Sequence, residues 1–247
     1  MAYRDDPDLR FLGQMSSEDL GDLVYCLTHD KDGTTRWVEG LTGSVDYKRY
    51  YPNHRMYWMQ IAAEIQEFGG NSIVNTLFRF GDGVLYREVL TNVCDKLKVK
   101  YNAHSPVHYI ETKLLSMILD DVVGQMTPDQ LFELARECGV PNVSDVGKPT
   151  KAAIAIALQA GLRAGGFMSY KLAVIIANFV LKTLIGRGLT VAANAALTRT
   201  IGMFLGPVGW VLSGVWLAFD IAGTAYRVTV PAVINVAVLR QKHMYAG

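Results

Sequence analysis

The chain has 247 residues, half of them hydrophobic, a mean hydropathy of +0.16 and a formal net charge of +1. Its length allows one large domain or two modest ones with a sizeable core. Its three cysteines, Cys26, Cys94 and Cys138, are odd in number and contain no CxxC, which argues against a disulfide framework and for reduced thiols in a cytosolic protein.

The opening MAYRDDPDLRFLGQ is charged, without a basic stretch leading into an apolar one, so no cleaved secretory signal is expected. Asp8 to Leu12 forms a short lead-in. Ser16-Ser17-Glu18-Asp19 then offers cap chemistry for a helix through Leu20, Leu23, Val24 and Leu27, stopping near His29–Gly33. A second short helix is expected through Trp37, Val38 and Leu41. The polar, aromatic tract Gly43 to Asn53 reads as a loop or linker.

His54 to Phe68 is a stronger helix, with Trp58, Ile61, Ala62, Ile65 and Phe68 at three- and four-residue steps. Gly69-Gly70-Asn71-Ser72 should end it and cap a short helix over Ile73 to Phe80. Further helices are expected over Val84 to Val99 and Val107 to Gly124. Another should run from Pro128 to Cys138, with Thr127 as cap and Pro128 in the first helical position. Gly139 to Thr150, rich in Gly, Pro and small polar residues, marks the best domain boundary.

Beyond it the character changes. Residues 1–150 carry 15 basic and 22 acidic side chains; residues 151–247 carry nine Lys and Arg against Asp220 alone, a net of +8. Helices are expected over 151–165, 167–185, 188–200, 207–222 and 231–243, with Val228 to Val230 a candidate for extended backbone before Pro231. Few of these segments have a polar face, so they must be buried in protein or in lipid. The expected fold is all-α, a multi-helix bundle with a Gly-rich apolar C-terminal half. Its expected parts are a short helical module (1–45), an acidic helical domain (46–147) and an apolar, basic, Gly-rich domain (148–247).

Ile201 to Phe219 holds 19 uncharged residues, close to the roughly 20 that a membrane span needs. Gly202 and Gly206, like Gly161 and Gly165, have the small-xxx-small spacing that permits close helix approach. Trp210 and Trp216 suit a membrane interface, which makes these four residues, Gly202, Gly206, Trp210 and Trp216, the membrane-contact candidates. Lys171, Lys182, Arg187, Arg199, Arg227, Arg240 and Lys242 would face anionic headgroups. The alternative is a permanent soluble core covered by the acidic half. Asp220 is costly in such surroundings unless paired, and Arg227 or Arg199 is the obvious partner. An Asp220–Arg227 ion pair would hold a closed form that acid or competing lipid could loosen.

Chemical motifs fare poorly. Thr28 to Glu39 has calcium-loop spacing, with Asp30, Asp32, Gly33 and Glu39 in place, but Thr28 replaces the first carboxylate and Arg36 adds a repelling charge. A helix–turn–helix with a Gly-ended first helix is the expected reading. His104, His108 and Glu111 could lie near one another, yet zinc would need further ligands. Gly147-Lys148-Pro149-Thr150 is no P-loop, because Pro149 separates Lys from Thr and residue 142 is Asn. Neither a GxSxG elbow nor a dinucleotide fingerprint occurs. The expectation is therefore no catalytic residue, no cofactor, no metal and no nucleic acid. An anionic membrane surface is the candidate partner, with a protein partner through residues 1–45 as another; oligomeric state stays open.

Phe68-Gly69-Gly70-Asn71-Ser72, Gly206-Pro207-Val208-Gly209, the run Ala225 to Val233 and Val238-Leu239-Arg240 resemble the uncharacterised bacterial YaaW-like family. Tyr3 to Leu9 together with Asp30-Lys31-Asp32-Gly33 resembles a short N-terminal module that accompanies it. A proline often stands in that family where this chain has Thr224. Some relatives carry a ubiquinol–cytochrome c chaperone-like label, but no residue here establishes that role, and the resemblance supplies no catalytic residue. The resemblance implies a bacterial protein; the residues themselves add the expectation of a cytoplasmic, non-enzymatic helical protein that can lie at the inner membrane.

Overall fold

Side-chain chemistry sets where the helices begin and end. In the computed structural model, which describes residues 2–36, 40–72, 83–140, 150–190 and 224–246, the Ser16 side chain accepts the Asp19 N–H and starts α1 (Ser17–Thr28). Glu18 and Asp19 fill its first turn, where the helix dipole favours them. A 3₁₀ turn, Arg10–Gln14, precedes it and buries Phe11 and Leu12. The helix stops at extended His29, and the chain doubles back: Gly33 takes a φ of 80°, and a single antiparallel bridge joins His29 to Thr35. The first helix therefore ends at Thr28, five residues before the glycine.

Residues 44–51 do not form the expected loop. Ser44 caps α2 (Val45–Tyr50) by accepting the Tyr47 N–H, and that cap outweighs the tract's polar composition. A 3₁₀ turn at His54–Tyr57 leads into α3 (Trp58–Ser72), which continues through the glycines expected to end it. Each interior glycine costs only about 1 kcal/mol against alanine, less than the packing of Ile61, Ala62 and Ile65 returns. The segment expected to form the next helix, 73–80, lies outside the described residues, as do Trp37 and Val38 and the expected helical stretches 191–200 and 207–222.

Helices α4 (Tyr86–Lys96) and α5 (Val107–Gln125) then follow. Thr127 and Gln130 build a reciprocal capping box for α6 (Pro128–Cys138), which ends on left-handed Gly139, as the residues imply. Thr150 caps α7 (Lys151–Ala164), and α8 (Gly166–Ile185) follows after a tight turn. The last helix, α9 (Thr224–Ala246), runs through Pro231 and through residues 228–230, where extended backbone was a candidate. Pro231 has no N–H for the carbonyl four residues back. Burial of Val228, Val230, Ala232, Val233, Ile234 and Val236 nevertheless keeps the segment helical.

The described residues are all-α, with no strand among them. Helices α8 and α9 share the most extensive helix–helix contact, with the start of α8 beside the end of α9. Around this pair pack α1, α3, α4, α5 and α7, and buried side chains from all of them join in one hydrophobic core.

Candidate functional site

Among the described residues α8 alone is long and apolar enough, by length and composition, to cross a membrane; 72% of its most apolar stretch is buried in the protein. Its two buried polar side chains have local uses. Asn178 Oδ1 accepts the Leu189 N–H at 2.8 Å, and the Ser169 hydroxyl lies 2.8 Å from the Leu162 carbonyl and 3.1 Å from Gln241 Oε1. Gly161 lets α7 approach α8, because a Cβ there would stand 2.2 Å from Met168 Cε. Gly165 instead belongs to the turn, so the pair does not act as one contact stripe.

The N-terminal segment touches both helices of this pair through polar groups. At the C-terminal end of α9, Arg240 is the centre. Its Nε donates to Glu111 Oε2 at 2.8 Å, and another guanidinium nitrogen donates to the Asp8 carbonyl at 2.7 Å. The guanidinium lies 4.5 Å from the Phe11 ring centroid. The Tyr86 hydroxyl donates to the other Glu111 oxygen at 2.7 Å, while the Tyr86 backbone N–H donates to the buried Asp6 carboxylate at 2.6 Å. Two residues farther along, Lys242 pairs with Asp19 at the start of α1.

Midway along α9, the Asn235 amide donates to the Pro231 carbonyl at 2.9 Å and lies 3.3 Å from Cys26 Sγ of α1. Beyond α8 the chain folds back along the helix, Leu189 reaching Asn178, and there the Asp22 carboxylate accepts the Thr190 N–H at 3.0 and 3.1 Å and its hydroxyl at 2.9 Å. Arg187 stands 4.0 Å from Asp22 and stacks over Tyr25 at 4.3 Å; Tyr25 in turn stacks on His29. Gly186, which ends α8 with a φ of 76°, passes so close to the Lys31 carbonyl that a Cβ would lie 2.4 Å from that oxygen.

Burial governs the electrostatics of this clasp. It raises the Asp22 carboxyl above its ordinary value although Thr190 and Arg187 oppose it. Burial also raises Glu111, opposed by Arg240 and Tyr86, and would lower Arg240 were it not for Glu111, which leaves the guanidinium raised. Short contacts to both Glu111 oxygens are those of an ionised pair with its lone pairs occupied. The three cysteines are free and buried; burial pushes Cys94 and Cys138 up to about 12, which makes them inert packing groups.

Of the residues singled out from sequence, Gly202, Gly206, Trp210, Trp216 and Asp220 lie outside the described residues. So do Arg199, Gly147-Lys148-Pro149 and Glu39. Arg227 is exposed in the first turn of α9. Several cations expected to face headgroups have partners within the protein. Arg240 and Lys242 are paired as above, Arg187 approaches Asp22, and Lys171 donates to the Glu137 carbonyl at 2.8 Å. Of these, only Arg240 is largely buried with its counter-charge; the Lys242 and Arg187 side chains keep 35% and 45% of their surface exposed.

The calcium-like loop is a closed turn, in which Asp30 pairs with Arg36 and Asp32 accepts the Thr34 N–H. His104 is exposed, His108 packs on Tyr109, and Glu111 is committed to Arg240, so those three residues do not converge. Among the described residues no group of His, Cys, Asp and Glu could hold a metal ion. Sequence reasoning missed Asp19, Asp22 and Tyr86. Nothing local announced Asp22, which shares the Glu18 and Tyr25 face of α1 opposite Leu20, Leu23 and Leu27 and so reads as solvent-facing.

Fold and site together define a helical protein in which a short N-terminal segment clasps an apolar helix pair through buried charge. The chain belongs to the UPF0174 family. It is 46% identical to a UPF0174 protein of Helicobacter pylori strain J99, over 100% of this chain and 96% of that one. A UPF0174 protein of Helicobacter pylori strain ATCC 700392 / 26695 is 40% identical over 83% of this chain and 97% of its own length. UPF0174 protein YaaW of Escherichia coli K12 is 32% identical over 97% of this chain and 95% of that protein. Residues 3–37, which carry most of the clasp, match a Domain of unknown function (DUF3944). No solved structure matches.

Proposed function

We propose that this is a non-enzymatic protein whose N-terminal segment masks an apolar, basic helical half, and that release of the mask lets that half engage an anionic membrane. The supporting observation is the distribution of the clasp. Asp19 and the Asp8 carbonyl hold Lys242 and Arg240 near the end of α9, Asp22 holds Thr190 in the segment that follows α8, and the Lys31 carbonyl abuts Gly186 at the end of α8, so residues 3–36 touch both helices. In this reading the 201–219 segment, with Gly202, Gly206, Trp210 and Trp216, enters lipid after α8 and α9 are uncovered. The Asp220–Arg227 pair would belong to the closed form. The protein would work in the cytoplasm and at the inner membrane, and residues 1–45 would be the part a protein partner displaces.

Flotation of the full chain with phosphatidylglycerol-containing vesicles tests this. Asp19→Lys sets two like charges against each other at the α1–α9 contact and should increase the floated fraction severalfold. If neither chain floats at neutral or acidic pH while both stay folded and monomeric, the membrane reading fails.

One observation favours a second reading. The burial of α8 fits a soluble interaction or chaperone-like protein whose apolar half is a permanent core. That reading expects Asp19→Lys to lower stability without changing flotation.

A further inference from the structure

The turn between α7 and α8 and the end of α9 meet at one tip of the helix pair, opposite the end of α8 where Gly186 abuts the Lys31 carbonyl. Phe167, Met244 and Tyr245 stand out of it, with 41%, 54% and 51% of their surfaces exposed. They form one surface: the Phe167 and Tyr245 rings are 5.2 Å apart, and Tyr245 lies parallel to Tyr170 with centroids 6.4 Å apart. Aromatic rings with one wet edge are the side chains that settle at the headgroup level of a bilayer.

Charge decides what this tip can meet. The Lys171 ammonium sits 4.7 Å over the Phe167 ring and donates to the Glu137 backbone carbonyl; among the described residues it forms no salt bridge. Arg163 is exposed one turn before α8 and likewise donates to a carbonyl, that of Gln159. Residues 150–190 and 224–246 contain no Asp or Glu. The acidic side chain that reaches this end of α9, Asp19, is neutralised by Lys242. An anionic surface would therefore find cations flanking apolar groups and no acidic side chain from α7, α8 or α9. Because the clasp leaves the tip uncovered, it is available before any unmasking.

We infer that the Phe167–Met244–Tyr245 tip is the docking surface by which the closed protein first contacts an anionic phospholipid bilayer. The inference rests on the membrane reading above and adds the place of first contact. Aromatic and methionine side chains enter the headgroup boundary, while Arg163 and Lys171 neutralise phosphate. Docking there would also bring the start of α8, the helix suited by length to span, against the bilayer.

The test is flotation of the full chain with phosphatidylcholine vesicles, with and without phosphatidylglycerol. It compares the parent, the triple variant Phe167→Ser/Met244→Ser/Tyr245→Ser, Asp19→Lys, and the triple variant combined with Asp19→Lys. All three tip residues are about half exposed, so circular dichroism should stay unchanged and melting should fall only modestly. The parent should float only with phosphatidylglycerol, and the triple variant should lose about tenfold of its bound fraction. Equal flotation of parent and triple variant overturns the inference. Flotation of Asp19→Lys without flotation of the parent overturns it too, but leaves the masking reading standing. If no chain floats, both fall. A parent dimer that the triple substitution converts to a monomer, with flotation unaltered, assigns the tip to self-association and overturns the inference as well.

Discussion

Helices α8 and α9 are similar in length, lie side by side and are both buried along most of their course, yet they are held in different ways. Helix α8 is held by enclosure. Val174, Ile176, Ala177 and Val180 are fully buried, and its Asn178 serves the chain just beyond its own end. Helix α9 contains a proline, yet reaches outward through Asn235, Arg240 and Lys242 to α1, α5 and the N-terminal lead-in. Apolar burial is non-directional and would accept several rotations of a helix. A buried guanidinium accepts one. Helix α9 therefore sets the register in which the pair is covered, and α8 follows it.

The largest break in that contrast should come at Arg240. Glu111→Gln leaves a buried guanidinium without its counter-charge and should cost about 3–5 kcal/mol in urea unfolding. The double variant Glu111→Leu/Arg240→Met should lose much less than the sum of the single losses. If the losses simply add, Arg240 does not specify the register.

The next effect lies at Glu64 of α3, behind the same N-terminal segment. Burial, with the charge of Glu67, pushes its carboxyl up to about 7, only partly opposed by the Leu41 backbone and Arg36. A carboxyl raised on folding contributes stability below its unfolded value of 4.5 and loses it as pH rises through about 7. Glu64→Gln should therefore flatten the pH dependence between those values and stabilise the protein at pH 8, by at most about 3 kcal/mol. Thermal melts of both proteins across that range check the sign.

Gly186 tests whether α8 depends on the clasp at all. Alanine there must hold a left-handed backbone, worth about 1–2 kcal/mol, and displace the Lys31 carbonyl. Chemical denaturation should register at least that loss, with faster amide exchange over residues 187–190. A neutral substitution would mean that the far end of α8 is loosely held.

The smallest effect is expected at Lys242. Its pair with Asp19 is partly exposed, so Lys242→Met should change stability by under about 1 kcal/mol and soften the salt dependence. A larger loss would put the main grip on α9 at its tip and away from Arg240.

Much of the local structure was legible because it depends on neighbours in sequence. Ser16, Thr127 with Gln130, Pro128 and Gly139 act within a turn of their own helices, and each does what its chemistry implies. Where a distant partner decides, local reading failed. Gly69 and Gly70 did not stop α3, and Pro231 did not stop α9. Ser44 is a local cap that the polar composition around it hid, and it starts α2. The clasp was half legible. The charge asymmetry implied that acidic residues would meet basic ones, but Arg240 and Lys242 read as surface cations, because nothing near them in sequence announces Glu111 or Asp19.

The sequence by itself determined an all-α fold, a C-terminal half too apolar to stand uncovered, and a surplus of positive charge in it, since these follow from composition and period alone. Tertiary structure decided which charges become internal. That depends on pairs such as Arg240 with Glu111, 129 residues apart, and Lys242 with Asp19, 223 residues apart. Desolvation makes such charges prohibitive alone and tolerable together. Only the folded chain brings them together.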